Sequence, residues 1–185
     1  PGLSSNGYTV AQNHIIGNML TEIGTDGSLQ PDLAESWEAA DGGATWIFKL
    51  PSGLEFHDGR PCTSRDVLAS MNHHRGDAST SAVKPQMAQV TEIETPDDLT
   101  VIFRLEAPNA DFAFFLTDYH MIIMPAKDDG SLEWENGVGT GPYKLESFEP
   151  GVRSAFTKHA NYHKSDRAWF DSIEMLCVLD ATART

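Results

Sequence analysis

The chain is poor in basic residues, holds only two cysteines and has no long apolar run. Each shortage excludes something. Thirteen Lys and Arg stand against 27 Asp and Glu among 185 residues, a formal net charge of −14. Such a surface repels a phosphate backbone, so no nucleic-acid partner is expected. The acidic excess reads as a solvated surface that favours solubility, and it does not imply a cationic ligand. No apolar stretch approaches the roughly 20 residues needed to cross a bilayer. The segment Met121-Ile122-Ile123-Met124 stops at Pro125. Cys62 and Cys177 lie far apart, with neither a CxxC nor metal-type spacing. Independent packing roles are expected for them, with one disulfide left open. Pro1-Gly2-Leu3 carries no signal-peptide pattern, as a mature or trimmed chain would also lack one.

Catalytic signatures are missing as well. There is no GxSxG, and neither cysteine has a local histidine partner. Gly139-Thr140-Gly141 has no Lys and no third Gly at a nucleotide-binding offset, and Pro142 follows it. It is expected to be a tight turn that lets backbones approach closely. Asp97-Asp98 and Asp128-Asp129 sit in turn contexts, where Asp is favoured for turn chemistry. Seven histidines raise the question of metal. His73 and His74 would point about 100° apart on a helix. His159 and His163 have HExxH spacing without the Glu. No cofactor, metal ligand or catalytic residue is therefore assigned. A metal-dependent hydrolase or metal-binding protein using His57, His120 or His163 stands as the alternative.

What is present is a core. Hydrophobic residues make up 40% of the chain, with four Trp and nine Phe, enough to exclude disorder. Residues 9–20 place Val10, Ile15, Ile16, Met19 and Leu20 near one helical face, with Thr9 as a cap. Asp26-Gly27 signals a hairpin. A short strand ending at Trp37, a turn at Asp41-Gly42-Gly43 and a strand alternating Trp46, Phe48 and Leu50 follow. Their aromatics, with Phe56, read as core. Thr63-x-x-Asp66 resembles a capping box that opens a helix with Val67, Leu68 and Met71 on one face.

Residues 76–82 are a polar loop. Val90 and Ile93 belong to a strand, Thr95-Pro96-Asp97-Asp98 to a turn, and 99–105 to a returning strand. Asp111–Leu116 reads as a short buried helix and 127–138 as a loop. Strands 143–149 and 153–158 are joined by Glu149-Pro150-Gly151. Residues 173–179 read as a buried strand, Asp180 as an N-cap and 181–184 as a helix cut within one turn, so a fragment of something longer is expected. With no repeat and no regular βαβ series, the fold class is α+β, a mixed α/β chain.

Four ordered segments carry a resemblance. They are LQPDLAESWEAADGGATWIFKL with GLEFHDGRPCTSRDV, then DDLTVIFRLEAPNADF, then GVGTGPYKLESFEPG, then ANYHK with FDSIEMLCVLDATAR. Together they resemble the extracellular solute-binding proteins of ABC transporters, family 5, the peptide, nickel and opine class. Pro51, Cys62 and Cys177 depart from the family's usual residues and touch packing more than ligand contact. The resemblance implies a type II periplasmic-binding-protein-like fold. Residues 1–20 and 137–185 would form the main part of lobe I, 21–136 its accessory subdomain, and the second lobe would be missing after 185.

It also implies a periplasmic receptor, not an enzyme. Such a receptor captures a small solute, expected to be a peptide or peptide-like compound, and delivers it to an ABC permease as a full-length monomer. The loop Asn6-Gly7-Tyr8 resembles the family's first cleft-lining loop. With Ser81 it supplies the candidate ligand contacts. The chain by itself is expected to bind solute weakly or not at all.

Overall fold

The computed structural model describes residues 7–178. Helix α1 spans Gly7–Ile16, and a small hairpin pairs β1, Thr21–Ile23, with β2, Leu29–Pro31. Strand β3 is Ser36–Ala40 and β4 is Thr45–Lys49, followed by helix α2 at Ser64–His73 and a single turn, α3, at Lys84–Met87. Strands β5 (Val90–Asp97) and β6 (Thr100–Leu105) form a second hairpin, then α4 covers Phe112–Phe115. Strands β7 (Tyr143–Glu149), β8 (Arg153–Lys158) and β9 (Ser172–Leu176) complete the order.

The larger sheet is antiparallel with order β3-β4-β6-β5, and the smaller runs β7-β8-β9. Period-two alternation explains the first. In β4, Trp46 and Phe48 are buried while Ile47 is half-buried and Lys49 exposed. Their cross-strand partners are Phe103 and Val101 of β6, both fully buried. Phe48 meets Phe103 edge-on at 5.6 Å, and Phe103 reaches Phe112 of α4 at 5.2 Å. Helix α2 covers the same face with Val67 and Met71, and its capping box forms. The Thr63 N–H donates to Asp66 Oδ2 at 2.8 Å. Leu68 is only half-buried, and Ala69 and Ser70 take the buried places beside Val67.

Two separate cores result. One gathers buried apolar residues from Met19 to Leu132 around the larger sheet. The other joins Tyr143, Phe156 and Ala168 with Ile15 and Ile16 of α1 and Ile173 of β9. Cys62 is buried in the first core and Cys177 lies at the end of β9, both as free thiols.

Several expected boundaries move. The helix expected over 9–20 runs from Gly7 to Ile16, so Thr9 lies inside it and is not its cap. It stops because the next amides leave the helical pattern. The Asn18 N–H donates to Thr140 Oγ1 and the Met19 N–H to Asp32 Oδ2. The strand expected to end at Trp37 continues to Ala40, held by pairing of Trp37 with Phe48 and Ala40 with Thr45.

The expected turn at 95–98 shrinks to Asp98-Leu99, and Pro96 lies within β5. Strand β5 tolerates it because it is an edge strand whose register slips between Glu94 and Asp97. The buried strand expected from 173 is instead an edge strand with one face open, and Leu176 is 62% exposed. The cap and helix expected at 180–184 lie outside the described residues.

Candidate solute-binding site

Helix α1 organises both candidate clefts. Ten residues at about 1.5 Å each give it a length of roughly 15 Å, and a cavity lies at each end. Its carboxyl end is clamped by Gly139-Thr140-Gly141. The Gly141 N–H donates to Ile16 O at 3.0 Å. A Cβ on Gly139 would stand 1.9 Å from Ile16 O, and one on Gly141 2.5 Å from Ile15 O, so only glycine admits this approach.

At the amino end lies a groove of about 730 Å³, walled by α1, the β7–β8 turn and the end of β9. Gly7, Tyr8 and Gln12 line one side, and Phe148, Gly151 and Leu176 the other. None of its described lining residues carries a formal charge, and Phe148 is 52% exposed beside it. A groove of this size and character suits an uncharged or apolar group rather than an ion. Tyr8 does not hang loose over it. Its hydroxyl lies 2.6 Å from Ser154 Oγ, which also accepts the Gln12 amide at 2.6 Å. Its ring and the adjacent backbone are what the groove can offer to a ligand.

The cleft at the carboxyl end is different. It measures about 470 Å³ and is bordered by His14, Asn18, Glu22, Asp32, Tyr162 and Arg167 among others. Its charges neutralise one another. Arg167 grips Glu22 in two-pronged fashion at 2.5 and 2.6 Å, and Lys164 bridges Glu22 at 3.0 Å and Asp32 at 2.7 Å. Burial raises the Glu22 carboxyl, but hydrogen bonds from Arg167 and Lys164 outweigh it and leave the group below its ordinary range. Burial pushes the Tyr162 phenol up to about 12. The Asn18 amide donates to both Asp32 and the Tyr162 hydroxyl. This cluster fastens the β1–β2 hairpin of the first core to the 162–167 loop of the second.

Comparison with known proteins decides what the scaffold is. The model for bacterial extracellular solute-binding proteins, family 5 Middle, matches residues 28–185. The chain belongs to this family. It is 30% identical over 158 residues to the probable D,D-dipeptide-binding periplasmic protein DdpA of Escherichia coli K12, covering 77% of this chain and 30% of that one. It is 29% identical over 139 residues to a putative ABC transporter peptide-binding protein of Brucella ovis, covering 71% and 26%.

Among solved structures, the binding protein AgaA of A. tumefaciens R10 in complex with agropinic acid superposes with a TM-score of 0.87 at 27% identity, over 95% of this chain and 36% of that one. The DppA protein of Helicobacter pylori in complex with the peptide STSA does so at 0.83 and 23%, over 100% and 41%. The fold is therefore that of part of a type II periplasmic binding protein. The chain spans between a quarter and a third of the length of these two curated relatives.

Within this family 5 chain the expected contacts separate. Gly7 and Tyr8 share the amino-end groove, while Asn6 lies outside the described residues. Ser81 belongs to the α2–α3 loop and is 8% exposed. Its Oγ lies 2.6 Å from His74 Nδ1 and accepts the Val83 N–H at 3.3 Å, so it ties that loop to the end of α2.

The histidines are individually placed. Among the described residues no three of His, Cys, Asp and Glu form a group able to hold a metal ion. His120 Nδ1 pairs with Asp118 at 2.6 Å, and His163 Nε2 lies 3.2 Å from Asp32 O. The residues that sequence reasoning did not single out are Gln12, Ser154, Glu22, Lys164 and Arg167. Their partners sit more than 130 positions away, and no local spacing announces them.

Proposed function

We propose that the chain is one lobe of an extracytoplasmic receptor that captures a small solute and hands it to the membrane permease of an ABC importer. The observation that carries this reading is the family match over 158 of 185 residues (28 to 185 inclusive). Residues 1–20 and 137–185 form the main part of the lobe on this reading, and 21–136 its accessory subdomain; the two separate cores support that division. A second lobe, beyond what this chain contains, closes over the ligand. Closure is stabilised only by contacts made on both sides of the cleft.

The solute is a peptide or peptide-like compound, a reading supported by the names of the E. coli and Brucella relatives and by the uncharged lining of the amino-end groove. Asn6, Gly7 and Tyr8 contribute from this lobe, Gly7 by backbone approach and Tyr8 through its ring, whereas the Ser81 hydroxyl, committed to His74, serves the α2–α3 loop. The protein acts by binding and not by catalysis, in the periplasm and as a monomer.

The test is a thermal-shift screen of the intact receptor against peptides, opines and sugars. A solute at about 100 times its Kd adds roughly 2.7 kcal/mol to stability, so a cognate peptide raises Tm by several degrees. Tyr8→Ala lowers that response and Tyr8→Phe retains most of it. A flat response to every class overturns the capture reading, and a response to opines or sugars alone overturns the peptide assignment.

A further inference from the structure

His57 is a buried histidine on the first core whose two ring nitrogens are both engaged by the backbone of the segment that crosses to the second. The Gly139 N–H donates to Nδ1 at 3.2 Å, and Nε2 lies 3.0 Å from the Gly141 carbonyl oxygen. The first bond requires a lone pair on Nδ1, and the second requires a proton on Nε2. Only the neutral Nε2–H tautomer satisfies both. The backbone repeats the contact, since the His57 N–H donates to Gly139 O at 2.9 Å. Residues 139–141 also clamp the end of α1, through Gly141 and Thr140. One imidazole thus sits where both cores and the helix meet.

We propose that His57 is an acid-opened clasp: neutral, it holds residues 139–141 across the two cores, and protonation at Nδ1 releases them. The added proton takes the lone pair that accepts the Gly139 N–H and turns two donors towards each other. A buried cation then forms where the neutral ring had both nitrogens satisfied.

The charged and titratable surroundings do not offset that cation. From the second core, His159 meets the ring edge-on at 5.1 Å, and Lys144 adds positive charge that opposes protonation. His159 is itself 3% exposed with Nδ1 unpartnered. On the His57 loop, Asp58 is held by Arg60 at 2.7 Å and Glu55 accepts the Asn161 amide at 2.9 Å. Burial accordingly lowers the His57 imidazole to about 4.

Hydrogen exchange of the intact protein, read over peptides covering 137–142 and 100–105 from pH 7 to 4.5 and corrected for intrinsic rates, tests the clasp. Protection over 137–142 is expected to fall about tenfold more than over 100–105. In His57→Gln, which keeps a donor and an acceptor but cannot titrate, that extra fall is expected to vanish. A fall common to both peptides, or one that persists in the variant, overturns the proposal. Should the variant not fold, nitrogen shifts of the wild-type ring decide. A neutral Nε2–H ring that protonates together with the release of 137–142 supports the clasp. An Nδ1–H tautomer, or protonation more than a pH unit away from the release, overturns it.

Discussion

Individual buried histidines tie the stability of this protein to pH. Burial lowers both His57 and His74 to about 4, against an ordinary value of 6.5. For a base with a depressed folded pKa, the unfolded chain binds more protons between those two values, so stability rises with pH there. The contribution is whole above pH 6.5 and is lost as pH falls towards 4. Each group corresponds to about 3 kcal/mol at most across that window. Denaturant unfolding at pH 7.5, 6, 5 and 4.5 is expected to show a steep decline below 6.5 that Ser81→Ala, which removes the His74 partner, alters less than His57→Gln. A flat profile down to pH 5 would contradict this assignment.

None of this was legible locally. The sequence offers His57 only as one histidine of a possible metal set, but the ring's partners stand 82 and 84 positions away. Gly139-Thr140-Gly141, by contrast, announced its close approach directly, because two glycines flanking Thr before Pro have little other use.

At the scale of elements, local chemistry was the reliable guide. The capping box at Thr63 and Asp66, the Asp26-Gly27 hairpin and the strands 143–149 and 153–158 all form where their residues indicate. Failures fell where tertiary partners override propensity, as when Thr140 and Asp32 capture the amides that would have extended α1. Asp66 shows how a local signal can hide a distant role. One carboxyl oxygen caps α2 through Thr63, and the other accepts the Ala126 N–H at 2.9 Å, 60 residues on. Asp66→Ala should therefore cost about 2–4 kcal/mol, more than the roughly 1 kcal/mol of an ordinary cap. Chemical denaturation of Asp66→Ala beside Thr63→Ala measures the difference, and equal losses would show that the Ala126 bond contributes nothing.

At the scale of the molecule, family and fold were legible because four ordered segments carry them, whereas cargo was not. The groove that receives Gly7 and Tyr8 is built partly from Phe148, Gly151 and Leu176, residues whose spacing alone describes only a hairpin and a strand. The pairs that join the two cores, Glu22 with Arg167 and Asp32 with Lys164, were equally silent.

The pairing of β4 with β6 also governs how the chain finds its fold. Strands β3 and β4 close over the short turn between Ala40 and Thr45, and β5 and β6 over the two residues between Asp97 and Thr100. The seam between these hairpins joins Lys49 to Thr100, and with β5 already paired to β6 the positions 50–89 are looped out. Closing these roughly 40 residues costs about 3.3 kcal/mol in the logarithmic part of the chain entropy, so the hairpins should form first and the seam last. Val101, buried against Phe48 across that seam, should then report the barrier. Val101→Ala is expected to slow refolding with a φ-value above about 0.5, and a value near zero would place the slow step elsewhere in assembly.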